Sequence, residues 1–355
     1  MKILTVVGAR PQFIKAAAVS GMLRKKHTEI LVHTGQHFDY NMSQQFFEEL
    51  DIPTPDYNLG ISGGSHAQMT GRMLVGIEEV LVREKPDWLF VYGDTNSTLA
   101  AALAAVKLHI PVCHAEAGTR THSMTNPEEI NRICADHVSK LLLACTTFDM
   151  QELEREGLAD RAELVGDPMY DAFLKYSGKI RLSDITLSLL EGAETGIPDE
   201  YYYLTCHREE NTNDDNLCEI LKAAECLDAP VVYPVHPRNR ERILMLEKKK
   251  GFRNLILAKP VGYLESNCLV TNAKKIITDS GGIQREAFFA GKQCVTVLNH
   301  ITWPATMADN RNQLARPECE DILLKLSNRQ HVDESYQPFG DGNAALKIVE
   351  ALEKA

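Results

Sequence analysis

Ile-Pro-Val-Cys-His-Ala-Glu-Ala-Gly-Thr-Arg at 110–120, followed by Asn-Pro-Glu-Glu-Ile-Asn-Arg at 126–132, decides the fold. Residues 110–115 form a short apolar run with a β-branched residue, the pattern of a strand buried on both faces. A turn carrying Glu116 and Gly118 follows, and then a helix start. Pro127 suits the first helical turn, where its missing N–H would have had no partner. Glu128 and Glu129 favour the same turn, because the helix dipole stabilises negative charge there. Glu128 and Arg132 are four apart and share one helix face. Three carboxylates and two arginines thus fall within seventeen residues at the carboxyl edge of a sheet. Alone, such a cluster reads as a charged helix start with a surface ion pair. Its place after a buried strand makes it a candidate for moving protons at an anionic substrate.

The same alternation runs outward in both directions. Strand patterns stand at 2–8, 29–34, 88–93, 110–115, 140–145, 162–165, 201–206, 230–234, 254–258, 274–278 and 293–297. Helical patterns stand at 12–25, 42–50, 66–84, 97–108, 127–138, 148–157, 213–227, 238–250, 264–272 and 282–290. Buried strands separated by helices imply α/β architecture with parallel sheets covered by helices. Residues 168–200 are mixed and polar, without a strand pattern, and Gly196-Ile197-Pro198 precedes a fresh strand. Two doubly wound halves are therefore expected, 1–170 and 171–341. The helical stretch at 342–354 has no strand after it.

A chain of 355 residues exceeds a typical single domain, which agrees with two halves. Its formal net charge of −11 speaks against a nucleic-acid or anionic-membrane partner, while leaving room for a local basic pocket. No apolar run approaches a membrane span. The N-terminus enters a strand with no signal-peptide pattern, so the cytoplasm is the expected location. Nine cysteines, none in a Cys-x-x-Cys pair, read as buried thiols of a reducing compartment and not as a zinc site or disulfide framework. Cys206 beside His207 reads better as a packed strand thiol than as a nucleophile.

In doubly wound sheets ligands sit at the carboxyl ends of the strands, and the motifs collect there. Gly8-Ala9-Arg10-Pro11 places Arg10 where its guanidinium matches a diphosphate, with Lys15 one turn into the next helix. Asp94, Glu116 and Glu128 form the acid–base set, although Asp94 could instead cap the following helix. His207 and His236 each follow a strand in the second half. In Asp279-Ser280-Gly281-Gly282, small residues let backbone N–H groups reach a phosphate at a helix start. Neither a Gly-x-Gly-x-x-Gly fingerprint after the first strand nor a Walker loop is present, so no NAD cofactor and no metal is expected.

Taken together, Gly8-Ala9-Arg10-Pro11 with Lys15, Gly93-Asp94-Thr95, Glu116-Ala117-Gly118, Pro127-Glu128-Glu129 with Asn131-Arg132, His207-Arg208 with Glu210-Asn211, and Asp279-Ser280-Gly281-Gly282-Ile283-Gln284 with Glu286 resemble the non-hydrolysing UDP-N-acetylglucosamine 2-epimerases. The resemblance runs in order over nearly the whole chain. It implies a GT-B architecture of two Rossmann-like domains with the active site in the cleft between them, and a final helix, 342–355, that packs back on the first domain. It implies a homodimeric isomerase that interconverts UDP-GlcNAc and UDP-ManNAc without NAD. The C2 proton is removed, UDP leaves from C1, and UDP adds back to the glycal. By this resemblance Asp94, Glu116 and Glu128 transfer protons with Arg132 and His207 assisting. Arg10, Lys15, His236, Tyr263, Ser280, Gly281 and Gly282 contact the substrate, and Glu286 accepts from ribose hydroxyls. Which carboxylate serves which face is left open.

The chain departs from this pattern in one stretch. The family's usual Arg-Asp-Thr-Thr-Glu-Arg-Pro-Glu is replaced by Leu298-Asn299-His300-Ile301-Thr302-Trp303-Pro304-Ala305. The segment from Arg120 to Arg132 is closer to the branch acting on UDP-2,3-diacetamido-glucuronic acid. That substrate would need an extra cation for its C6 carboxylate, with Arg120 and His122 as candidates. A GT-B glycosyltransferase and a non-catalytic UDP-sugar binding protein are the remaining alternatives.

Overall fold

The computed structural model describes residues 1–37 and 44–355. It resolves into two compact units, Met1–Lys175 with Gln337–Ala355, and Tyr176–Tyr336.

In the first unit, strands and helices alternate. They are β1 (Lys2–Val7), α1 (Arg10–Lys26), β2 (Thr28–His33), α2 (Gln44–Glu49), β3 (Tyr57–Asn58), α3 (His66–Glu84), β4 (Trp88–Tyr92), α4 (Asn96–Lys107), β5 (Val112–Ala115), α5 (Pro127–Val138), β6 (Leu141–Ala144), α6 (Thr147–Arg155), β7 (Ala162–Leu164) and α7 (Pro168–Tyr176). The seven strands lie in the order β3-β2-β1-β4-β5-β6-β7 and every pair is parallel. Strand order reverses between β1 and β4, the switch point where such sheets bind ligands. The β4 and β5 residues are all buried, because helices cover both faces of a parallel sheet.

The second unit repeats the plan. It contains a small hairpin of β8 (Leu187–Ser188) and β9 (Glu194–Thr195), then β10 (Tyr202–Thr205), α8 (Asp214–Glu225), β11 (Val231–Pro234), α9 (Arg240–Lys250), β12 (Leu255–Ala258), α10 (Tyr263–Asn272), β13 (Ile276–Thr278), α11 (Gly281–Phe289), β14 (Cys294–Val297), β15 (Asn312–Ala315) and α12 (Cys319–Ser327). Its parallel sheet runs β12-β11-β10-β13-β14-β15, with its own switch point between β10 and β13. The final helix, α13 (Ala344–Lys354), belongs to the first unit. Asp171 caps it by accepting from the Ala344 and Ala345 amides at 3.1 and 2.8 Å. Glu353, near its end, pairs with Lys26 at 3.0 Å.

The stretch at 168–200, which shows no strand pattern in the sequence, contains α7 and the β8–β9 hairpin. Pro168 opens α7 at the position where proline is tolerated, and each hairpin strand is two residues long, too short to show alternation. Two further elements, β15 and α12, follow the last expected strand.

Candidate active site

In the first unit, the turn after β1 carries Arg10. Gln12 fixes that turn. Its Oε1 accepts from the Gly8 and Ala9 amides at 2.8 and 3.1 Å, and its Nε2 donates to the Tyr92 carbonyl at the end of β4 at 2.9 Å. The turns on both sides of the switch point are therefore one hydrogen-bonded piece. The Arg10 guanidinium lies 4.7 Å from the Phe46 ring centroid, so an aromatic face orients the cation and leaves its forked donors for an anion. Gly8 fits a tight spot, because a Cβ there would come within 2.2 Å of the Ser97 and Thr34 hydroxyls and one or both would have to shift.

Lys15, one turn into α1, is buried at 2% side-chain exposure and pairs its Nζ with the Glu116 carboxylate. It thereby holds Glu116 in place by a buried ion pair. Glu116 occupies the left-handed region at φ +70°, which costs a residue with a Cβ about 1–2 kcal/mol. The strain is held by the Glu116 and Ala117 amides, which both donate to the Leu143 carbonyl at 3.0 and 3.1 Å. The Glu116 carboxylate lies with Cys145 Sγ and an Asp167 oxygen within 4.8 Å of one another.

Asp94 does not cap α4. Thr95 does, accepting from the Thr98 amide. The Asp94 carboxylate is instead free to meet Arg132, with which it pairs. Arg132 is buried and bridges to Glu129 at 2.9 Å. The expected i,i+4 pairing of Glu128 with Arg132 is thus corrected to Glu129 at i,i+3. Glu129 also accepts from the Thr121 and His122 amides, at 2.9 and 2.8 Å. Burial raises the Glu129 pKa, but those amides and Arg132 together hold it below the ordinary range. Burial disfavours the Arg132 charge as well, yet Asp94 and Glu129 outweigh it and raise its pKa. Glu128 makes no ion pair among the described residues, and remains a partly exposed carboxylate on the first turn of α5.

The second unit presents two turns at its switch point. After β10, the His207 and Arg208 amides donate to Asp279 at 2.9 Å each, and His207 Nδ1 lies 3.1 Å from the same carboxylate. Burial pushes the Asp279 pKa up, but the charge and hydrogen bonds of His207, with the Arg208 amide, bring it down to about 2. Nδ1 is engaged, so Nε2 is the nitrogen left to act on a ligand. The His236 ring stacks on His207 at 5.7 Å and 27°. Asp279, expected only as part of a phosphate loop, is therefore the residue that orients His207. After β13, Ser280 caps α11 by accepting from the Ile283 amide. The first N–H groups of α11 lack helical partners and form an anion-binding end. Glu286 is buried on α11, and Tyr263 is buried at the start of α10, edge-on to Tyr176 at 6.0 Å.

The altered stretch has a clear packing role. Trp303 is buried, the Arg285 guanidinium lies 3.9 Å from its ring centroid, and a Cβ on Gly281 would stand 3.4 Å from its Nε1. The indole supports the Asp279–Gly282 turn from behind. Cys206 is buried and its thiol is pushed well above its ordinary range by burial, which argues against a nucleophile. Arg120, considered as a cation for a uronic carboxylate, is spent elsewhere. It is buried and binds both Glu156 oxygens at 2.7 Å and Asp136 at 2.7 Å.

Two parallel sheets with separate switch points, a carboxylate and arginine set on one and a glycine-rich helix start on the other, make two Rossmann-like units, the GT-B fold class. The family model described as UDP-N-acetylglucosamine 2-epimerase matches residues 22–353, and the chain belongs to that family of isomerases. It is 46% identical to a UDP-N-acetylglucosamine 2-epimerase homolog of Methanococcus maripaludis, covering 99% of each chain. It is 45% identical to the UDP-2,3-diacetamido-2,3-dideoxy-D-glucuronate 2-epimerase of Pseudomonas aeruginosa, covering 100% of each. Among solved structures, the Methanocaldococcus jannaschii UDP-GlcNAc 2-epimerase in complex with UDP-GlcNAc and UDP superposes with a TM-score of 0.90 at 35% identity, covering 100% of both chains. Among the described residues, no helix is long and apolar enough to cross a membrane.

Proposed function

We propose that this chain interconverts UDP-GlcNAc and UDP-ManNAc by epimerisation at C2. The observation that carries the reading is the pair of carboxylates at adjacent strand ends, Asp94 after β4 and Glu116 after β5, each held by a buried cation. Inverting C2 requires one base to remove its proton and one acid to return a proton on the other face. Two carboxylates in different environments meet that need, and Glu128 supplies a third on α5. Removing the C2 proton drives out UDP from C1 and leaves a glycal, to which UDP adds back. The departing diphosphate needs cations and amides; Arg10 is proposed for this role in the first unit, and Ser280, Gly281 and Gly282, with His207 and His236, in the second. Tyr263 is proposed to contact the nucleotide and Glu286 to accept from its ribose hydroxyls. Lys15 acts through Glu116. No nicotinamide and no metal is required for this sequence of steps. A charged nucleotide sugar does not cross a bilayer unaided, so the cytoplasm is the proposed location. A homodimer is proposed with it, checked by light scattering.

A second reading stands beside the first. The chain is 45% identical to the diacetamido-glucuronate enzyme, level with its 46% identity to the UDP-N-acetylglucosamine 2-epimerase homolog. With Arg120 committed to Asp136 and Glu156, exposed His122 is the remaining candidate for the C6 carboxylate. The test incubates the protein with each UDP-sugar and separates products by anion-exchange chromatography. UDP-ManNAc from UDP-GlcNAc supports the first reading. Conversion of the diacetamido-uronic sugar alone moves the assignment to the second. Conversion of neither refutes both.

A further inference from the structure

Behind the two carboxylates lies a chain of buried charges that the reaction itself does not use. His114 sits inside β5, two residues before Glu116, and is fully buried. Its Nε2 lies 2.7 Å from the Gly93 carbonyl, in the residue before Asp94. Its Nδ1 lies 2.7 Å from Asp136 Oδ1. The other Asp136 oxygen accepts from the Gly118 amide, two residues after Glu116, at 3.1 Å, and pairs with Arg120 at 2.7 Å. Arg120 continues to Glu156, whose side chain reaches solvent at 26% exposure. Burial raises the Asp136 pKa, but His114, Arg120 and the Gly118 amide together hold it below the ordinary range.

Helix α5 also carries Arg132, one turn before Asp136, and Arg132 holds the Asp94 carboxylate. Asn131 on the same turn donates to the Asp94 carbonyl at 2.9 Å. One helix therefore grips the Asp94 turn through Asn131 and Arg132, and the Glu116 turn through Asp136. His114 closes the loop by joining the Gly93 carbonyl to Asp136, which holds the Gly118 amide. A buried ion pair contributes little net stability against a hydrophobic replacement of the same shape. A fully satisfied buried network does fix one geometry.

We propose that His114 and Asp136 are positioning residues, which lock Asp94 and Glu116 into the mutual geometry that C2 epimerisation requires. The inference rests on the functional reading above. It accounts for the strain at Glu116, because a left-handed non-glycine residue persists only where its surroundings over-determine it. Neither residue touches the reacting atoms. Both act through the turns that carry them.

The test compares wild type with Asp136→Asn and Glu156→Gln, measuring kcat and KM per folded molecule. Asp136→Asn keeps the side-chain shape and removes the charge at the centre of the network. Misplacing a catalytic group by about 1 Å lowers turnover by about a hundredfold, so kcat should fall by that order with KM nearly unchanged. Glu156→Gln lies at the exposed end and leaves the core intact. It should lower kcat at constant KM, by less than Asp136→Asn does. A purely structural network would lower the melting temperature and leave kcat per folded molecule intact, which overturns the inference. If Asp136→Asn does not fold, Glu156→Gln decides alone, and unchanged kcat there overturns the inference. Wild type that converts neither UDP-sugar overturns the functional reading, and the inference with it.

Discussion

Replacing Asp279 by asparagine should destabilise the second unit in a pH-dependent way. Asp279 is buried and its carboxylate collects the His207 and Arg208 amides and the His207 ring. Its pKa of about 2 stands against an ordinary value of 3.8. At 1.36 kcal/mol per unit, the charged form is worth about 2 kcal/mol to the folded state. Asparagine would also turn an NH2 toward N–H donors, leaving one of them unpaired at about 1–3 kcal/mol. The sum is about 4 kcal/mol, or roughly 10 °C in melting temperature for a body of this size. The sign follows from the depressed pKa. The contribution is complete above the ordinary carboxyl range and is lost as pH falls through about 2. Urea unfolding of wild type and Asp279→Asn should therefore give a constant gap from pH 7 to about pH 4 that narrows below it. Equal midpoints at pH 7, or a gap that does not narrow in acid, would refute the reasoning.

Other consequences are simpler. Asp94→Asn and Glu116→Gln should each lower kcat by about 10²–10⁴-fold while the far-ultraviolet circular dichroism is unchanged; full turnover in both variants would mean the carboxylates are wrongly assigned. Arg10→Ala should weaken UDP binding about tenfold or more in calorimetry with UDP alone, since it removes a forked cation, and an unchanged Kd rejects that role. Gly118→Ala should unfold the first unit at markedly lower temperature, because its Cβ would stand 2.3 Å from the Asp149 carbonyl and its φ is +84°. The expected loss exceeds about 3 kcal/mol, and a melting curve matching wild type would contradict it.

Much of this was legible in the sequence, for a physical reason. Strands buried on both faces are continuous apolar runs, and β4, β5 and β6 read directly as such. Helix α5 was visible from Pro127 and the acidic first turn. What escaped detection lacked those signals. Strand β15 reads Asn-Gln-Leu-Ala, with no β-branched residue, and β3 is two residues long. At the site, side-chain identity was legible but pairing was not. Both Glu128 and Glu129 stand on the first turn of α5, and only the direction of the Arg132 side chain selects Glu129. The His114–Asp136 network left a fainter trace, a histidine inside an apolar strand and an aspartate four residues after Arg132 on the same helix face. The altered 298–305 stretch read as a loss of charge. Its gain, an indole stacked on Arg285, becomes visible only in three dimensions.

The most direct test of the account is a proton NMR time course with UDP-GlcNAc in D2O, without added nicotinamide or metal. The account predicts UDP-ManNAc carrying deuterium at C2, with deuterium washing into the UDP-GlcNAc pool, because the C2 proton is lost to a side chain that exchanges with solvent. UDP-ManNAc that retains the original C2 proton would contradict proton transfer between two carboxylates, as would an absence of any exchange at C2.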